Sequence, residues 1–252
     1  MFEISFIPAF KDNYIWLLRR DHQALVVDPG DAAPVLARLA EDGLTLAGIL
    51  ITHHHADHQG GVGELTAHHP APVFAPAGES ITGRTAPLDG GERLTLLGQT
   101  LDVLAVPGHT AGHLAYLTDD GLFCGDTLFG AGCGRLFEGT PAQMAASLDR
   151  LAALPPTTRI YCAHEYTAVN LRFATAVEPD NPAITARAAQ VAAQRRANLP
   201  SVPSTLAEEL ATNPFLRCRQ PAVIAAARQH GATDDSPVAV FAALRRWRSE
   251  DR

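Results

Sequence analysis

The sequence predicts an α/β protein whose last third is helical. Short apolar runs typical of strands alternate with helical segments up to about residue 164, and helical signals dominate from there to the end. With 252 residues, 46% of them apolar, the chain is long enough to bury a sizeable core. We therefore expect two domains, one at residues 1–164 and one at residues 165–252.

Each element follows from a local pattern. Strands are expected where short apolar runs end at turn residues, at about 2–7, 14–19, 24–28, 46–51, 94–97, 100–106, 113–118, 121–125 and 159–163. Helices are expected near 31–42, 60–67 and 141–153. In the second part, residues 183–197 are rich in Ala, Arg and Gln, 221–229 begin with a proline that suits a first helical turn, and 237–247 are rich in Ala, Leu and Arg.

Composition indicates a cytoplasmic protein. The mean hydropathy is +0.01, no run of ~18 apolar residues occurs, and the first residues lack a basic region followed by an apolar stretch, so we expect neither a membrane span nor a signal peptide. The four cysteines show no short-spaced pair, which predicts thiols rather than disulfides.

Charge is divided unevenly along the chain. Residues 1–164 carry 18 acidic and 9 basic side chains, a net charge of −9, whereas residues 165–252 carry 9 acidic and 11 basic side chains, a net charge of +2. The whole chain has a net charge of −7. This balance disfavours a nucleic-acid-binding protein, which usually presents a basic face.

The densest chemical signal is the segment from Thr52 to His58. It places His53, His55, Asp57 and His58 within six residues, directly after the apolar run 47–51. Imidazole and carboxylate together suit zinc, iron or manganese. A polar surface turn is the alternative interpretation. A closed metal site would need further ligands at the ends of other strands.

The sequence offers three such residues. His109, Asp126 and His164 each follow a short apolar strand. One of them alone would be interpreted as a turn residue. Together with the first four they give five histidines and two aspartates, too many for one tetrahedral zinc but suitable for two metals bridged by Asp126.

These motifs resemble the metallo-β-lactamase superfamily and, within it, the hydroxyacylglutathione hydrolase (glyoxalase II) family. The resemblance is carried by residues spread over nearly the whole chain, at 12–14, 52–58, 107–113, 124–129, 132–135, 163–167, 213–215 and 245–248. It implies an αββα sandwich with a binuclear metal site at one sheet edge, followed by a small C-terminal all-α domain.

The resemblance also implies roles for the ligands. One metal would bind His53, His55 and His109, the other would bind Asp57, His58 and His164, and Asp126 would bridge them. Asp57 would also orient a metal-bridging hydroxide, which attacks the substrate. The metals are expected to be zinc, with iron or manganese as alternatives.

Further residues are expected around these ligands. Asp28 resembles a position that braces the histidine-rich loop, although an Asp-Pro-Gly turn also forms without that duty. The remaining histidines are interpreted as structural or exposed: His22, His54, His68, His69, His113 and His230.

Substrate recognition is predicted from the C-terminal part. Arg245 and Arg248 lie one helical turn apart and would bind the glycine carboxylate of glutathione, although a solvated basic helix end is the simpler interpretation. By resemblance, Arg135, Tyr166 and the backbone near Phe137 would also line the glutathione site. Animal members of the family carry lysine at the positions of Arg135 and Arg248 and tyrosine at that of Phe137.

The predicted reaction is hydrolysis of S-(2-hydroxyacyl)glutathione, typically S-D-lactoylglutathione, to glutathione and D-lactate, the second step of methylglyoxal detoxification. The closest alternative is a glutathione persulfide dioxygenase with a single iron. A nucleic-acid-processing hydrolase, a β-lactamase and a metal-binding module without activity are further alternatives. We expect a monomer that binds neither nucleic acid nor membranes.

Overall fold

The computed structural model of the protein describes residues 1–250, which group into two units. The first unit contains residues 1–106 and 110–125, and the second contains residues 107–109 together with those from 126 onward. In this grouping residues 126–164 belong with the helical part. The domain division after residue 164 stays a prediction.

A six-stranded sheet forms the first half of the first unit. Its strands, in order across the sheet, are β1 (Glu3–Ala9), β2 (Asn13–Arg20), β3 (Gln23–Val27), β4 (Thr45–Leu50), β5 (Val73–Pro76) and β6 (Ala86–Leu88). The first three strands pair antiparallel, and β3 to β6 pair parallel. Because parallel strands end at the same sheet edge, the segments that follow β3, β4 and β5 begin near one another.

Three helices connect the parallel strands. Helix α1 (Ala32–Asp42) lies between β3 and β4, while α2 (Ala56–Gln59) and α3 (Val62–His68) lie between β4 and β5. The side chains of Val35 and Leu39 in α1 and of Leu65 in α3 are fully buried in the apolar core of the sheet. This packing fixes α2 at the sheet edge, between two anchored segments.

Four further strands complete the first unit as an antiparallel meander. They are β7 (Arg93–Leu96), β8 (Gln99–Ala105), β9 (Leu114–Thr118) and β10 (Gly121–Gly125). The buried hydroxyl of Tyr116 on β9 donates a hydrogen bond of 2.7 Å to the carbonyl of Ile51, and Leu114 N donates to the carbonyl of Thr52 at 2.9 Å. Burial raises the pKa of Tyr116 well above its usual value, so this hydroxyl remains a donor. These bonds join both sheets where the histidine-rich segment starts.

The second unit is mostly helical. A two-stranded hairpin, β11 (Leu128–Phe129) and β12 (Gly132–Cys133), precedes α4 (Pro141–Ala152), and β13 (Arg159–Cys162) leads into α5 (Thr167–Val177). The remaining elements are α6 (Pro182–Arg196), β14 (Ser204–Thr205), α7 (Leu206–Thr212), a 3-10 helix (Pro214–Leu216), α8 (Pro221–Gln229) and α9 (Pro237–Glu250). Strand β14 pairs antiparallel with β13. Among residues 1–250, no helix has the length and apolar character that a membrane span requires.

The structure confirms the predicted strands and helices, with ends that differ by a few residues. It adds elements that the sequence patterns did not predict, namely α2, β5, β6, β11, β12, α5, β14, α7 and the 3-10 helix. Strands β5 and β6 are short and contain Pro76 and Pro87, which weaken a strand pattern. Helix α5 contains several β-branched residues, which have modest helix propensity.

A buried ion pair organises the second unit. Glu209 on α7 has no exposed surface, and its Oε1 accepts hydrogen bonds from Arg187 Nη2 at 2.5 Å and from Ser204 Oγ at 2.6 Å. Its Oε2 accepts from Ala131 N at 2.8 Å and from Asn213 Nδ2 at 3.2 Å. The carboxylate therefore links α6, α7 and the turn of the β11–β12 hairpin.

Replacing Glu209 with Ala should lower the free energy of unfolding by ~3–5 kcal/mol, because Arg187 would keep a buried charge without its carboxylate partner. Urea denaturation followed by circular dichroism measures the loss. Glu208→Ala is the matched control: its carboxylate lies 3.5 Å from Arg187 and is partly exposed, so its loss should cost less than ~1 kcal/mol. Equal losses of unfolding free energy in the two variants would contradict the role of Glu209 as the buried partner of Arg187.

Candidate active site

The end of β4 and the helix α2 bring four of the proposed metal ligands together in the first unit. His53 and His58 are buried, whereas His55 and Asp57 are partly exposed. The His53 Nε2 and His55 Nδ1 atoms lie 2.9 Å apart, and His58 Nε2 lies 3.5 Å from Asp57 Oδ2. The His53 and His58 rings have centroids 4.0 Å apart. Two residues of the loop after β4 and two residues of α2 thus form a single cluster.

Asp28, which directly follows β3, braces this cluster. Its Oδ1 accepts a hydrogen bond from Thr52 N at 2.8 Å, and its Oδ2 accepts from Thr52 Oγ1 at 2.7 Å. The same Oδ2 lies 3.0 Å from His58 Nδ1. Asp28 therefore occupies one ring nitrogen of His58 and leaves the other nitrogen, Nε2, on the side of Asp57.

Asn13 holds the side chain of Asp57. Its Nδ2 donates a hydrogen bond of 3.0 Å to Asp57 Oδ2, which fixes the carboxylate orientation. Asn13 is part of the 12–14 motif, but the sequence alone gave it no role. Its contact with Asp57 supplies one.

In the second unit the two remaining proposed histidine ligands, His109 and His164, lie on either oxygen of Asp126. Asp126 Oδ2 lies 3.4 Å from His109 Nε2, and Asp126 Oδ1 lies 3.4 Å from His164 Nε2. The other nitrogen of His109, Nδ1, lies 2.8 Å from the carbonyl of Arg135. A Cβ at Gly134 would stand 2.0 Å from the Asp126 carbonyl and 3.1 Å from His109 Nδ1, so only glycine permits this close approach.

These donor separations fit bound divalent metals. Donors that bind one metal at about 2.0–2.2 Å lie roughly 2.9–3.5 Å apart for bond angles between a right angle and a tetrahedral one. The four separations measured in the two units, 2.9, 3.4, 3.4 and 3.5 Å, fall in this range. The two oxygens of Asp126 face different histidines, an arrangement that is compatible with a carboxylate bridging two metals.

A pocket of about 480 Å³ opens beside Asp126 in the second unit. It has a volume suited to a small-molecule ligand. Its lining includes candidate metal ligands and candidate glutathione-binding residues as well as other side chains. The lining residues are His109, Asp126, Phe129, Cys133, Gly134, Arg135, Phe137, Tyr166, Val169, Asn170, Arg245 and Arg248. Three guanidinium groups against one carboxylate favour an anionic ligand.

The arginines on α9 differ in their surroundings. Arg245 is buried, and its Nη1 donates to the carbonyl of Cys133 at 3.0 Å, while its Nε has no hydrogen-bond partner among residues 1–250. The guanidinium of Arg248 lies 5.9 Å from the ring centre of Phe173. Arg245 is thus preorganised in the wall of the pocket with a spare donor.

Aromatic rings shape the rest of the pocket. Tyr166 stacks on His164 at 4.8 Å with an interplanar angle of 3°. The Phe137 ring is 63% exposed and meets His109 edge-on at 5.3 Å. Both rings therefore contact imidazoles of the ligand set, and Phe137 leaves an apolar face open to solvent.

One residue of this region escaped sequence reasoning altogether. Glu79 is buried and accepts hydrogen bonds from the backbone of His54 and of Gly112. A signal existed, because Glu79 follows the apolar residues of β5, just as the proposed ligands follow other strands. The short, proline-terminated β5 concealed it. His54, interpreted as structural, bonds to Glu79 through its ring.

Two family models together cover nearly the whole chain. The Metallo-beta-lactamase superfamily model matches residues 10–164, and the model named Hydroxyacylglutathione hydrolase C-terminus matches residues 165–250. The chain belongs to the hydroxyacylglutathione hydrolase family. This finding confirms the family and the metallo-β-lactamase fold that the sequence motifs predicted.

Curated relatives match this chain along nearly its full length and their own. Hydroxyacylglutathione hydrolase from Dechloromonas aromatica strain RCB is 66% identical, over 99% of each chain. The enzyme of the same name from Cupriavidus taiwanensis is 57% identical over 100% of each chain, and that from Alkalilimnicola ehrlichii is 60% identical over 99% of this chain and 100% of its own length.

Two solved structures are similar in fold to this family member. The crystal structure of ETHE1 from Myxococcus xanthus has a TM-score of 0.67 at 25% identity and covers 100% of both chains. The crystal structure of TTHA1623 in a di-iron-bound form has a TM-score of 0.53 at 33% identity, over 60% of this chain and 87% of that one.

Asp28→Asn should weaken metal binding about 10- to 100-fold, because the amide nitrogen would face a donor on Thr52 or on His58. Asparagine is the suitable replacement, since Asp28 has a φ of 53° and asparagine tolerates this left-handed conformation. Competition with a chelator for zinc measures the affinity. Asp102→Asn, at an exposed pair with Arg93, should leave it unchanged. Equal zinc affinities of the Asp28→Asn and wild-type proteins would contradict the role of Asp28 in positioning the ligands.

Proposed function

We propose that the protein hydrolyses S-(2-hydroxyacyl)glutathione, with S-D-lactoylglutathione as the typical substrate and with glutathione and D-lactate as products. This reaction is the second step of methylglyoxal detoxification. The observation that carries the proposal is the pocket of the second unit, in which His109 and Asp126 share one cavity with three arginines. Relatives at 57–66% identity carry the name of this hydrolase, which supports it.

Two divalent metal ions form part of the proposal, as zinc with iron or manganese as alternatives. One would be held by His53, His55 and His109, the other by Asp57, His58 and His164, and both by Asp126. The geometry of Asp126, with one oxygen toward each of two histidines, supports a bridging role. A relative described in a di-iron-bound form supports two ions rather than one.

When bound, the metals would lower the pKa of a coordinated water to ~7 and so supply a nucleophile at neutral pH without a serine or cysteine. The protein's part is to present its donors in fixed directions. Asp57 would orient the attacking water, and Asn13 restricts the Asp57 carboxylate to one position by its hydrogen bond of 3.0 Å. Asp28 does the same for His58.

The leaving group explains why the proposed site needs no strong general acid. A thiolate is a stable anion, because free thiols have a pKa of ~8.5. The glutathione sulfur can therefore depart unprotonated or take a proton from water. The residues of the pocket then have to bind and orient the glutathione part of the substrate.

Arg245 and Arg248 would bind the glycine carboxylate of glutathione through charge-assisted hydrogen bonds. Arg135, Tyr166 and the backbone near Phe137 would complete this binding site. All five residues line the same pocket, which supports their joint assignment. The spare Nε donor of the buried Arg245 supports a charged acceptor at this place.

The division of labour follows the predicted domains. Residues 1–164 would form the metal-binding catalytic domain, and residues 165–252 the glutathione-binding domain. The protein would act in the cytoplasm as a monomer. Four cysteine thiols, all buried, suit a reducing compartment.

Metal-loaded wild-type protein should hydrolyse S-D-lactoylglutathione, and Asp126→Ala should lower kcat at least about 100-fold, since it removes the bridging carboxylate. The loss of thioester absorbance measures turnover, and metal analysis of the variant should show fewer bound ions. Absence of wild-type turnover, with oxygen consumed on glutathione persulfide, would replace the hydrolase with the single-iron dioxygenase.

Arg248→Ala should raise KM roughly 10- to 100-fold and leave kcat nearly unchanged, because a charge-assisted hydrogen bond contributes ~1.5–3 kcal/mol to binding. The same thioester assay separates the two constants. Arg228→Ala is the control, since Arg228 pairs with Asp235 at an exposed position of α8. An unchanged KM in Arg248→Ala would indicate that Arg248 is a solvated residue at the helix end and does not bind the substrate.

A further inference from the structure

We infer that Glu79 is a positioning residue that fixes the segment His53–His55 in the geometry for metal binding. The inference rests on the proposed function, because it takes His53 and His55 as metal ligands. Glu79 lies in the loop after β5 and is 8% exposed. Nothing in the sequence motifs or in the predicted ligand set includes it.

The Glu79 carboxylate is saturated by donors on two sides. Its Oε2 accepts from His54 N at 2.7 Å and lies 3.0 Å from His54 Nδ1. Its Oε1 accepts from Thr110 Oγ1 at 2.5 Å and from Gly112 N at 2.9 Å. The carboxylate therefore clamps the loop after β4 to the loop before β9.

Both clamped loops act on the same imidazole. His54 stands between His53 and His55, so a bond to its backbone N–H limits the movement of both neighbours. Gly112 directly precedes His113, whose buried ring stacks on His53 with centroids 4.6 Å apart and an interplanar angle of 19°. Glu79 thus holds the His53 ring through its own loop and through the ring stacked upon it.

The close approach of Glu79 to residue 112 depends on that residue being glycine. A Cβ at residue 112 would stand 2.8 Å from Glu79 Cγ and 3.1 Å from Oε1. Any side chain there would push the carboxylate away from the backbone N–H. The glycine is required by close packing against the Glu79 side chain.

The chemistry of the clamp demands a carboxylate. A glutamine of the same size would point its NH₂ group either at His54 N–H or at Gly112 N–H. Neither backbone N–H can turn into an acceptor, so one side would have two donors facing each other in a buried place. Glu79→Gln should release one loop while it preserves the side-chain volume.

The test compares wild type, Glu79→Gln and Glu92→Gln in metal affinity, spectra and kinetics. Glu92 is a matched control in the same unit, because its two oxygens also accept from backbone N–H groups, of Asp89 at 2.7 Å and of Gly90 at 2.8 Å. Chelator competition gives the zinc affinity, and cobalt-loaded protein reports the ligand geometry through its visible absorption. Thermal unfolding measures the stability of each variant.

Glu79→Gln should bind metal about 10- to 100-fold more weakly, with a changed cobalt spectrum. Its kcat on the thioester should fall while KM stays within about twofold, because Glu79 is not among the residues that line the glutathione pocket. Glu92→Gln should lower the thermal stability but leave the metal affinity, the cobalt spectrum and the kinetics unchanged. Wild-type metal affinity and spectrum in Glu79→Gln overturn the inference, as do equal losses in both variants.

Thr110 provides a milder variant in case Glu79→Gln does not fold. Thr110→Val keeps the shape and deletes one donor of four, so metal affinity should fall by a few fold, whereas Thr110→Ser should restore it. No difference between the Val and Ser variants overturns the inference. A wild-type protein that binds no metal overturns both the proposed function and the role of Glu79, and normal wild-type binding with an unaffected Glu79→Gln overturns the role alone.

Discussion

Hydrogen bonds on the outer nitrogens of the histidines are the interaction on which the rest of the site depends. An imidazole that is free to turn or to change tautomer presents its donor nitrogen in no fixed direction. Asp28 faces Nδ1 of His58, Thr52 Oγ1 faces Nδ1 of His53 at 3.0 Å, and the Arg135 carbonyl faces Nδ1 of His109. In each case Nε2 faces another proposed ligand: His55 Nδ1 at 2.9 Å for His53, Asp57 Oδ2 at 3.5 Å for His58 and Asp126 Oδ2 at 3.4 Å for His109. The fold provides the proposed ligands and also the hydrogen-bond partners that orient their rings.

One of these acceptors, the Arg135 carbonyl, follows a hairpin that buried hydrogen bonds of the second unit hold in place. The β11–β12 hairpin, which leads to Arg135, is anchored by Asn170 Nδ2 at the carbonyl of Gly130 and by Asn213 Nδ2 at the carbonyl of Gly132. Glu209 binds the turn between the two strands. Each of these polar groups is buried and bonded, which avoids the cost of an unpaired buried group. The same network that stabilises the second unit therefore sets one wall of the pocket.

The sequence points to the candidate metal ligands because His and Asp residues recur after apolar strands. His53, Asp126 and His164 are found from such local patterns alone, and the motifs assign their family. Glu79 and the Arg187–Glu209 pair were not found, because single acidic or basic residues in loops and helices look like ordinary solvated charges. Their importance comes from burial and from partners distant in the chain, and neither is visible in a local pattern. The same limit hid β5 and β6, whose short length and prolines leave almost no periodicity.

The pocket also contains a competing nucleophile that its surroundings keep inactive. Cys133 lines the cavity beside Arg245, and a thiolate there would attack a thioester and form an acyl-enzyme. Burial raises the pKa of Cys133 to about 11, although the charge of Arg245 opposes this rise. At pH 7 the thiol is then protonated and a poor nucleophile. Burial thus disfavours acyl transfer to this thiol relative to attack by water, the step proposed for the His and Asp cluster.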